Sequence, residues 1–507
     1  MLSHVFSAAL SGIDATIVKV EVDVQMSGLP GWSMVGLLET AVKEARERVG
    51  SAIRNSGYSL PNRKTIVNLS PADLKKAGAH YDLAIAVGLL TAVGVCRPSS
   101  RVRLLLAGEL SLTGKVMPIN GALLMALAAR ERGLDGIVLP AENAWEAMLA
   151  GIDKVVAVES LADAVEFING GEAKKPPPSR PRISAACEEL DLSDVRGQPF
   201  AKRGLEIAAS GGHNLALMGP PGTGKTMLAE RLPTILPPLS EPEALEVLKI
   251  RSWHGLIRDC TGLPDERPFR APHHSASYAG LVGGGTAGMP RLGEISLAHN
   301  GVLFLDEMAE FRKDVLEVLR QPLESGWVRI VRAGVSVAYP ARFMLVAAFN
   351  PCRCGWRGHP TRPCICNVRE MRLYRSKLSG PLLDRLDLHV ELGPPPHDAL
   401  LDSMQEERSQ AVRERVLAAR DRQHARYKGT ISCNAQLSGR AVSRLCALPS
   451  DARGFLKTAA SKMSLSARAV HRVIKVARTI ADLAGSGEIA SSHIAEALQF
   501  RPGLEEL

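Results

Sequence analysis

Residues Gly219, Pro220, Pro221, Gly222, Thr223, Gly224, Lys225 and Thr226 run consecutively and match G-x-x-x-x-G-K-[ST], the pattern of a phosphate-binding loop. Each residue type answers a chemical need. Glycines let the backbone curl so that successive N–H groups converge on phosphate oxygens. Lys225 supplies a point charge for the terminal phosphates, and Thr226 a hydroxyl for Mg²⁺. A second stretch, Gly301–Glu307, reads Gly-Val-Leu-Phe-Leu-Asp-Glu, an apolar run ending in paired acids. A buried strand that delivers two carboxylates at its end completes such a site. Asp306 is then placed to hold Mg²⁺, directly or through water, and Glu307 to orient and polarise an attacking water. The chemistry expected is the binding of ATP with Mg²⁺ and its hydrolysis.

The elements that must position these groups are legible around them. Asn214–Met218 is a short apolar strand leading into the loop, and Thr226–Leu232 reads as a helix. The dipole at its N-terminus adds to the anion site. Upstream, residues 1–170 mix alternating strands (Ile17–Val24, Lys64–Leu69) with helices (Glu39–Ser56, Asp82–Val93, Gly121–Arg132), so their class is α/β or α+β. Residues 171–190, rich in proline and charge, cannot build a core and read as a linker. An α/β nucleotide-binding core is expected over 191–396, ending at the proline stretch Gly393–Pro396. From 397 to 507 the pattern is helical, with one long charged helix over Asp398–Tyr427 and several short amphipathic ones from Ser438 to Phe500.

The chain has 507 residues, a soft prior for about three domains. Hydrophobic residues at 46% and charged residues at 23% fit a globular protein and exclude a disordered one. Aromatics are 4%, so the cores must be aliphatic. No apolar run reaches the roughly 18 residues of a membrane span, and Met1–Ile13 lacks a basic leader segment. Nine cysteines, an odd number, fit a reducing cytoplasm. The net charge of +9 permits a polyanion partner without requiring one. Cys352, Cys354, Cys364 and Cys366 stand as Cys-x-Cys-x₉-Cys-x-Cys. Four thiolates this close suggest structural Zn²⁺, although one-residue spacers are shorter than usual; free or redox-active thiols are the other reading.

Longer blocks carry a family pattern. They are Gly28-Leu-Pro-Gly31 with Met34-Val-Gly36, Arg267-Pro-Phe-Arg-Ala-Pro-His-His-Ser275, Gly293–Glu307, Gly380-Pro-Leu-Leu-Asp-Arg385, and Leu465-Ser-Ala-Arg-Ala469 with Val476-Ala-Arg-Thr-Ile-Ala481. Over nearly its whole length the chain resembles the magnesium-chelatase-like AAA+ ATPases of the YifB/ComM family. The resemblance implies a multidomain α/β protein: a Lon-protease-like (S5-like) N-terminal domain, an AAA+ phosphate-loop core and a C-terminal helical lid.

It also implies roles. Asn350, at the end of the apolar strand Phe343–Phe349, matches sensor 1. Arg385 falls where the family places an arginine finger, which acts on the neighbouring subunit and so implies a homo-oligomer, a hexameric ring. Arg468 matches sensor 2, with Arg472 a weaker candidate one turn on. An insert within about Arg267–Ala298 and a β-hairpin over Ser325–Ala341 would project into a pore against DNA, with Arg329 and Arg332 on phosphate. His273 and His274, read as opposite-facing residues of a strand, are given a structural role.

In the Lon-like region, Gly78-Ala-His-Tyr-Asp82 holds no serine, and Leu123 or its neighbours stand where the lysine base belongs, so no peptidase chemistry is expected. The function implied is an ATP-driven ring motor on single-stranded or branched DNA, acting in branch migration, recombination or natural transformation. The alternative is a chelatase-like protein-remodelling subunit, against which the Lon-like domain weighs.

Overall fold

The N-terminal third is organised by a hairpin whose residues alternate. Leu2–Ser11 and Asp14–Val24 pair antiparallel in register from Leu2 with Asp23 to Ser11 with Asp14. Val18, Val20, Val22 and Val24 all face inward and are fully buried, the period-2 pattern of a strand with one face on a core. Gly12 turns the hairpin at a φ of +63°. The structure, a computed structural model, describes residues 1–25, 29–99, 102–172, 190–257, 262–284, 291–332, 335–378, 380–394, 406–429 and 431–501.

Among the described residues the hairpin lies inside a seven-stranded mixed sheet. Its order is Gly31–Val35, Lys64–Ser70, Asp14–Val24, Leu2–Ser11, Leu104–Leu106, Gly136–Pro140, Val155–Val158. Two helices that are apolar on nearly every side, Asp82–Ala92 and Ala122–Glu131, are buried along most of their length against it. Gly28 and the greater part of the expected linker, residues 173–189, lie outside the described residues.

The second sheet is all parallel: Phe269–Arg270, Val302–Leu305, Met344–Phe349, Leu215–Met218, Leu388–Glu391. Val302–Leu305 and Met344–Phe349 are buried at every position. Such strands read as continuous apolar runs because helices cover both faces. Asn214 staples the strand ends together. Its Oδ1 accepts from the Leu345 N–H at 2.8 Å, and its Nδ2 donates to the Arg385 carbonyl at 2.9 Å.

Behind this sheet stand the helices Ser409–Tyr427, Gly439–Leu445, Ser450–Lys462, Ala467–Leu483 and Ser491–Gln499. The long charged helix begins at Ser409 rather than Asp398. Glu406 is drawn off to the Gly197 N–H and Lys202, while Asp191 accepts from the Ser409 N–H; residues 395–405 lie outside the described set. A buried polar network locks the helices. Asp482 receives Arg426, Arg478 and Asn434, and Thr479 passes the network to His213 at 2.8 Å. Among the described residues no helix is long and apolar enough to cross a membrane.

The two sheets meet along the helix Glu241–His254. Its Leu248, with Ile257 beyond it, sits in one apolar cluster with Leu123, Ile137 and Leu139 of the N-terminal unit. Beside that cluster Glu146 is fully buried. It accepts from Ser252 Oγ at 2.8 Å and Asn143 Nδ2 at 2.6 Å. Burial pushes its carboxyl up to about 7 against these bonds. A second contact is the hairpin turn. A Cβ at Gly12 would stand 2.6 Å from Val337 Cγ1 and 3.2 Å from Tyr339 Cε1, so only glycine fits against that strand.

Candidate functional site

The loop Gly219–Thr226 joins the Leu215–Met218 strand to the helix Lys225–Ile235, with Gly222 and Gly224 at φ +80° and +87°. Nothing lies within 4 Å of where a Cβ would stand at either glycine, so no neighbour crowds the loop at these two positions. Lys225 Nζ donates to the carbonyls of Gly219 (2.7 Å) and Pro220 (2.8 Å) and to Asn350 Oδ1 (3.2 Å). Burial pulls the Lys225 ammonium down, and Asp306 and Glu307 pull it back up. Thr223 Oγ1 donates to the Pro220 carbonyl at 3.0 Å and stiffens the turn.

The acid strand arrives one strand beyond the Asn350 strand. Thr226 Oγ1 donates to Asp306 Oδ2 at 2.7 Å, so a hydroxyl and a carboxylate oxygen converge as a hard divalent cation requires. The residues therefore fit Mg²⁺. Glu307 has a φ of +49°, a left-handed conformation costly for a residue with a Cβ. Its N–H bonds back to Asp306 Oδ1 at 2.9 Å, and its own carboxylate is exposed.

Lys225, Asn350 and the Asp306–Glu307 pair come together around one point. His274 joins them. The strand expected through His273 and His274 stops at Arg270. The two rings therefore do not alternate; their centroids lie 4.0 Å apart, and His274 Nδ1 reaches within 3.7 Å of Glu307 Oε2. Sequence reasoning sets His274 aside because it assumes strand geometry, and no local signal marks the contact.

Arg385 is held within its own chain. It bonds Glu324 and the Pro381 carbonyl, while its buried Nε has no partner among the described residues. Arg468 is exposed in the first turn of Ala467–Leu483. Arg472, one turn on, points to the half-buried Asp387 at 3.5 Å; Asp387 also meets His213 at 3.2 Å. Arg472 thus fastens the C-terminal helices to the last strand of the sheet. Arg329 is exposed on the hairpin of Trp327–Arg332 with Val335–Pro340, its neighbours Val328 and Ile330 being buried. The side chain of Arg332 lies outside the described residues.

The four cysteines come together. One Sγ from each of Cys352, Cys354, Cys364 and Cys366 lies within 4.8 Å of the others. In the N-terminal unit, His80 is buried with Nε2 2.8 Å from the Ala8 carbonyl, Asp82 pairs with Arg48 at 2.7 Å, and Leu123 is fully buried. A cleft of about 750 Å³ beside Trp32, Arg46 and Tyr58 contains none of the site residues.

A phosphate loop opening a helix, an acid strand in the same parallel sheet and a helical bundle behind it define an AAA+ protein. Residues 191–400 match the family model described as magnesium chelatase, subunit ChlI. Residues 20–143 match subunit ChlI of Mg-chelatase, and 406–501 the C-terminal part of that subunit. Among relatives, the uncharacterized protein YifB of Salmonella typhimurium is 45% identical over 504 residues, 99% of this chain and 97% of that one. Competence protein ComM of Haemophilus influenzae is 43% identical over 508 residues, again 99% and 97%. The magnesium-chelatase 67 kDa subunit of Heliobacterium mobile is 31% identical over 198 residues, 34% of this chain and 29% of that one. The chain belongs to the YifB/ComM family of magnesium-chelatase-like AAA+ proteins. The match over 20–143 removes the N-terminal unit as an argument against a chelatase-type role.

Proposed function

We propose that the protein is a cytoplasmic ATPase that assembles as a homo-oligomeric, hexameric ring and moves or remodels DNA. The observation that carries the ATPase reading is the convergence of Lys225, Asn350, the Thr226–Asp306 pair and Glu307 at one loop. Thr226 and Asp306 would hold Mg²⁺, which neutralises charge on the phosphates when bound. Lys225 binds the terminal phosphates and exchanges its carbonyl partners for their oxygens. Asn350 and Glu307 orient water, and Glu307 takes its proton. Arg385 leaves Glu324 and reaches the neighbouring subunit, while Arg468 closes over the nucleotide from the helical side. Zn²⁺ on the four thiolates would be structural and take no part in the chemistry itself.

DNA as the track is supported by the net charge of +9, by the exposed Arg329 on the hairpin of Trp327–Arg332 with Val335–Pro340, and by a full-length relative named a competence protein. The N-terminal unit is read as a Lon-like fold without peptidase chemistry, used for assembly or DNA contact. A chelatase-like protein-remodelling subunit is the second reading, favoured by the match to magnesium-chelatase models along the chain. ATP turnover measured with and without single-stranded, duplex and forked DNA decides between them. Stimulation by forked or single-stranded DNA, with affinity falling steeply as salt rises, is expected. ATP turnover indifferent to every DNA at low salt favours the remodelling reading, and no turnover at all refutes both.

A further inference from the structure

Residues 350–367 form neither helix nor strand, long for an irregular segment inside a domain. Of residues 351–367 only Cys352 and Gly355 are buried. Arg353, Arg357 and Arg362 are all exposed on it, and Ile365 is 83% exposed. Apolar burial therefore does not hold this segment in place. Its four sulfurs, by contrast, are drawn together. Cys352 Sγ lies 3.4 Å from that of Cys354 and 3.6 Å from that of Cys364, with Cys354 and Cys364 also 3.6 Å apart. Zn–S bonds of about 2.3 Å in a tetrahedron set sulfurs about 3.8 Å apart. The Cys354 N–H donates to Cys366 Sγ at 3.3 Å, a backbone bond of the kind that steadies a thiolate ligand.

The same segment is built onto the nucleotide site. Cys352 follows Asn350 by two residues. Gly355, at φ +83°, lies so near the phosphate loop that a Cβ there would stand 2.7 Å from Pro221 Cδ. Tyr374, on the helix Val368–Lys377 that begins just past Cys366, donates its hydroxyl to the Asn350 carbonyl at 3.1 Å. Asn350 is thus gripped from both sides by chain that the sulfurs anchor.

We propose that Cys352, Cys354, Cys364 and Cys366 bind one zinc ion as a tetrathiolate knuckle that positions Asn350 and braces the phosphate loop at Pro221. ATP turnover then depends on the metal more than nucleotide binding does. This rests on the reading that the loop turns over ATP, but the metal site itself does not.

The test uses the full chain, purified under reducing conditions without chelator. Elemental analysis is expected to give about one zinc per chain, and Cys364→Ser with Cys366→Ser to abolish it. Cobalt(II) added to stripped protein is expected to give thiolate charge-transfer and tetrahedral d–d absorption. Stripping, followed by return to Mg²⁺, is expected to speed deuterium uptake across residues 350–378. It should lower ATP turnover by about tenfold or more while fluorescent-nucleotide affinity shifts less than about threefold, and zinc should restore both. Protein with neither zinc nor a cobalt spectrum overturns the site. Stripped protein with unchanged turnover and unchanged exchange overturns the coupling. Zinc-bound protein that hydrolyses no ATP, yet loosens at 350–378 on stripping, overturns the ATPase reading and leaves the knuckle standing.

Discussion

Glu146→Gln removes a buried ionisable group from the joint between the N-terminal unit and the helix Glu241–His254. Burial raises the Glu146 carboxyl from its ordinary 4.5 to about 7. A carboxyl whose folded-state pKa exceeds its unfolded value favours the protonated chain in the fold. The folded state is therefore unpenalised at low pH, loses stability as pH climbs from about 4.5 to about 7, and changes no further above that. Integrated between pH 5 and pH 8, the loss is on the order of 2–3 kcal/mol, on the order of a hundredfold in a local opening equilibrium. Glutamine stays neutral throughout. Its amide oxygen keeps the Asn143 bond and its NH₂ faces Ser252 Oγ; the longer contact from the Leu123 N–H, at 3.4 Å, is given up. The variant should therefore gain on the wild type as pH rises. A chain of several units is not expected to unfold in one step, so deuterium uptake of peptides spanning 119–148 and 241–257 is the readout. After correction for intrinsic exchange, equal wild-type-to-variant ratios at pH 5 and pH 8 would refute the reasoning.

Glu307→Gln should bind nucleotide within about threefold of wild type and lose hydrolysis by about a hundredfold or more; Lys225→Ala should lose binding too. Wild-type hydrolysis by Glu307→Gln, in a phosphate-release assay, removes Glu307 from the chemistry. His274→Ala removes a partly exposed contact to Glu307, so turnover should fall by only about two- to fivefold, with His274→Gln restoring part of it; an unchanged rate means the contact is idle. Mixing Arg385→Ala with Lys225→Ala protein should recover some activity, because some boundaries then carry an intact loop and an intact arginine. Full ATP turnover by a species that light scattering shows to be monomeric contradicts the ring.

The parts of the site written as contiguous residues are legible in the sequence. Gly219–Thr226 encodes its own turn, since glycines stand where φ is positive, and Val302–Leu305 declares its burial by being apolar throughout. The cysteines are legible in kind but not in geometry: the turn at Gly355 that folds Cys352 and Cys354 back toward Cys364 and Cys366 leaves no periodic trace. Contacts between distant residues are not legible at all. Glu146 and Ser252, 106 residues apart, meet across a joint that no hydrophobic period announces. Arg385 lies against Glu324 because the ends of two short helices, Arg320–Ser325 and Gly380–Leu383, converge, and either residue alone reads as an ordinary surface charge. His274 escapes for a different reason, a wrong local assumption: the chain leaves strand geometry at Arg270, and the two imidazoles come to share one side.

The hairpin turn at Gly12 has a practical consequence for anyone dividing this chain. The linker invites expression of residues 190 onward as a separate ATPase fragment. That fragment would carry Val337 and Tyr339 without the turn that seats on them, and Leu248 and Ile257 without the helix that covers them. Exposing large apolar side chains costs about 1.5–3 kcal/mol each and creates a sticky patch. The fragment is expected to aggregate or to be recovered only with a solubilising fusion, while Gly12→Val in the intact chain should reproduce a milder form of the same defect by wedging the two surfaces apart. The segment that looks like a cut site in sequence is a poor place to cut.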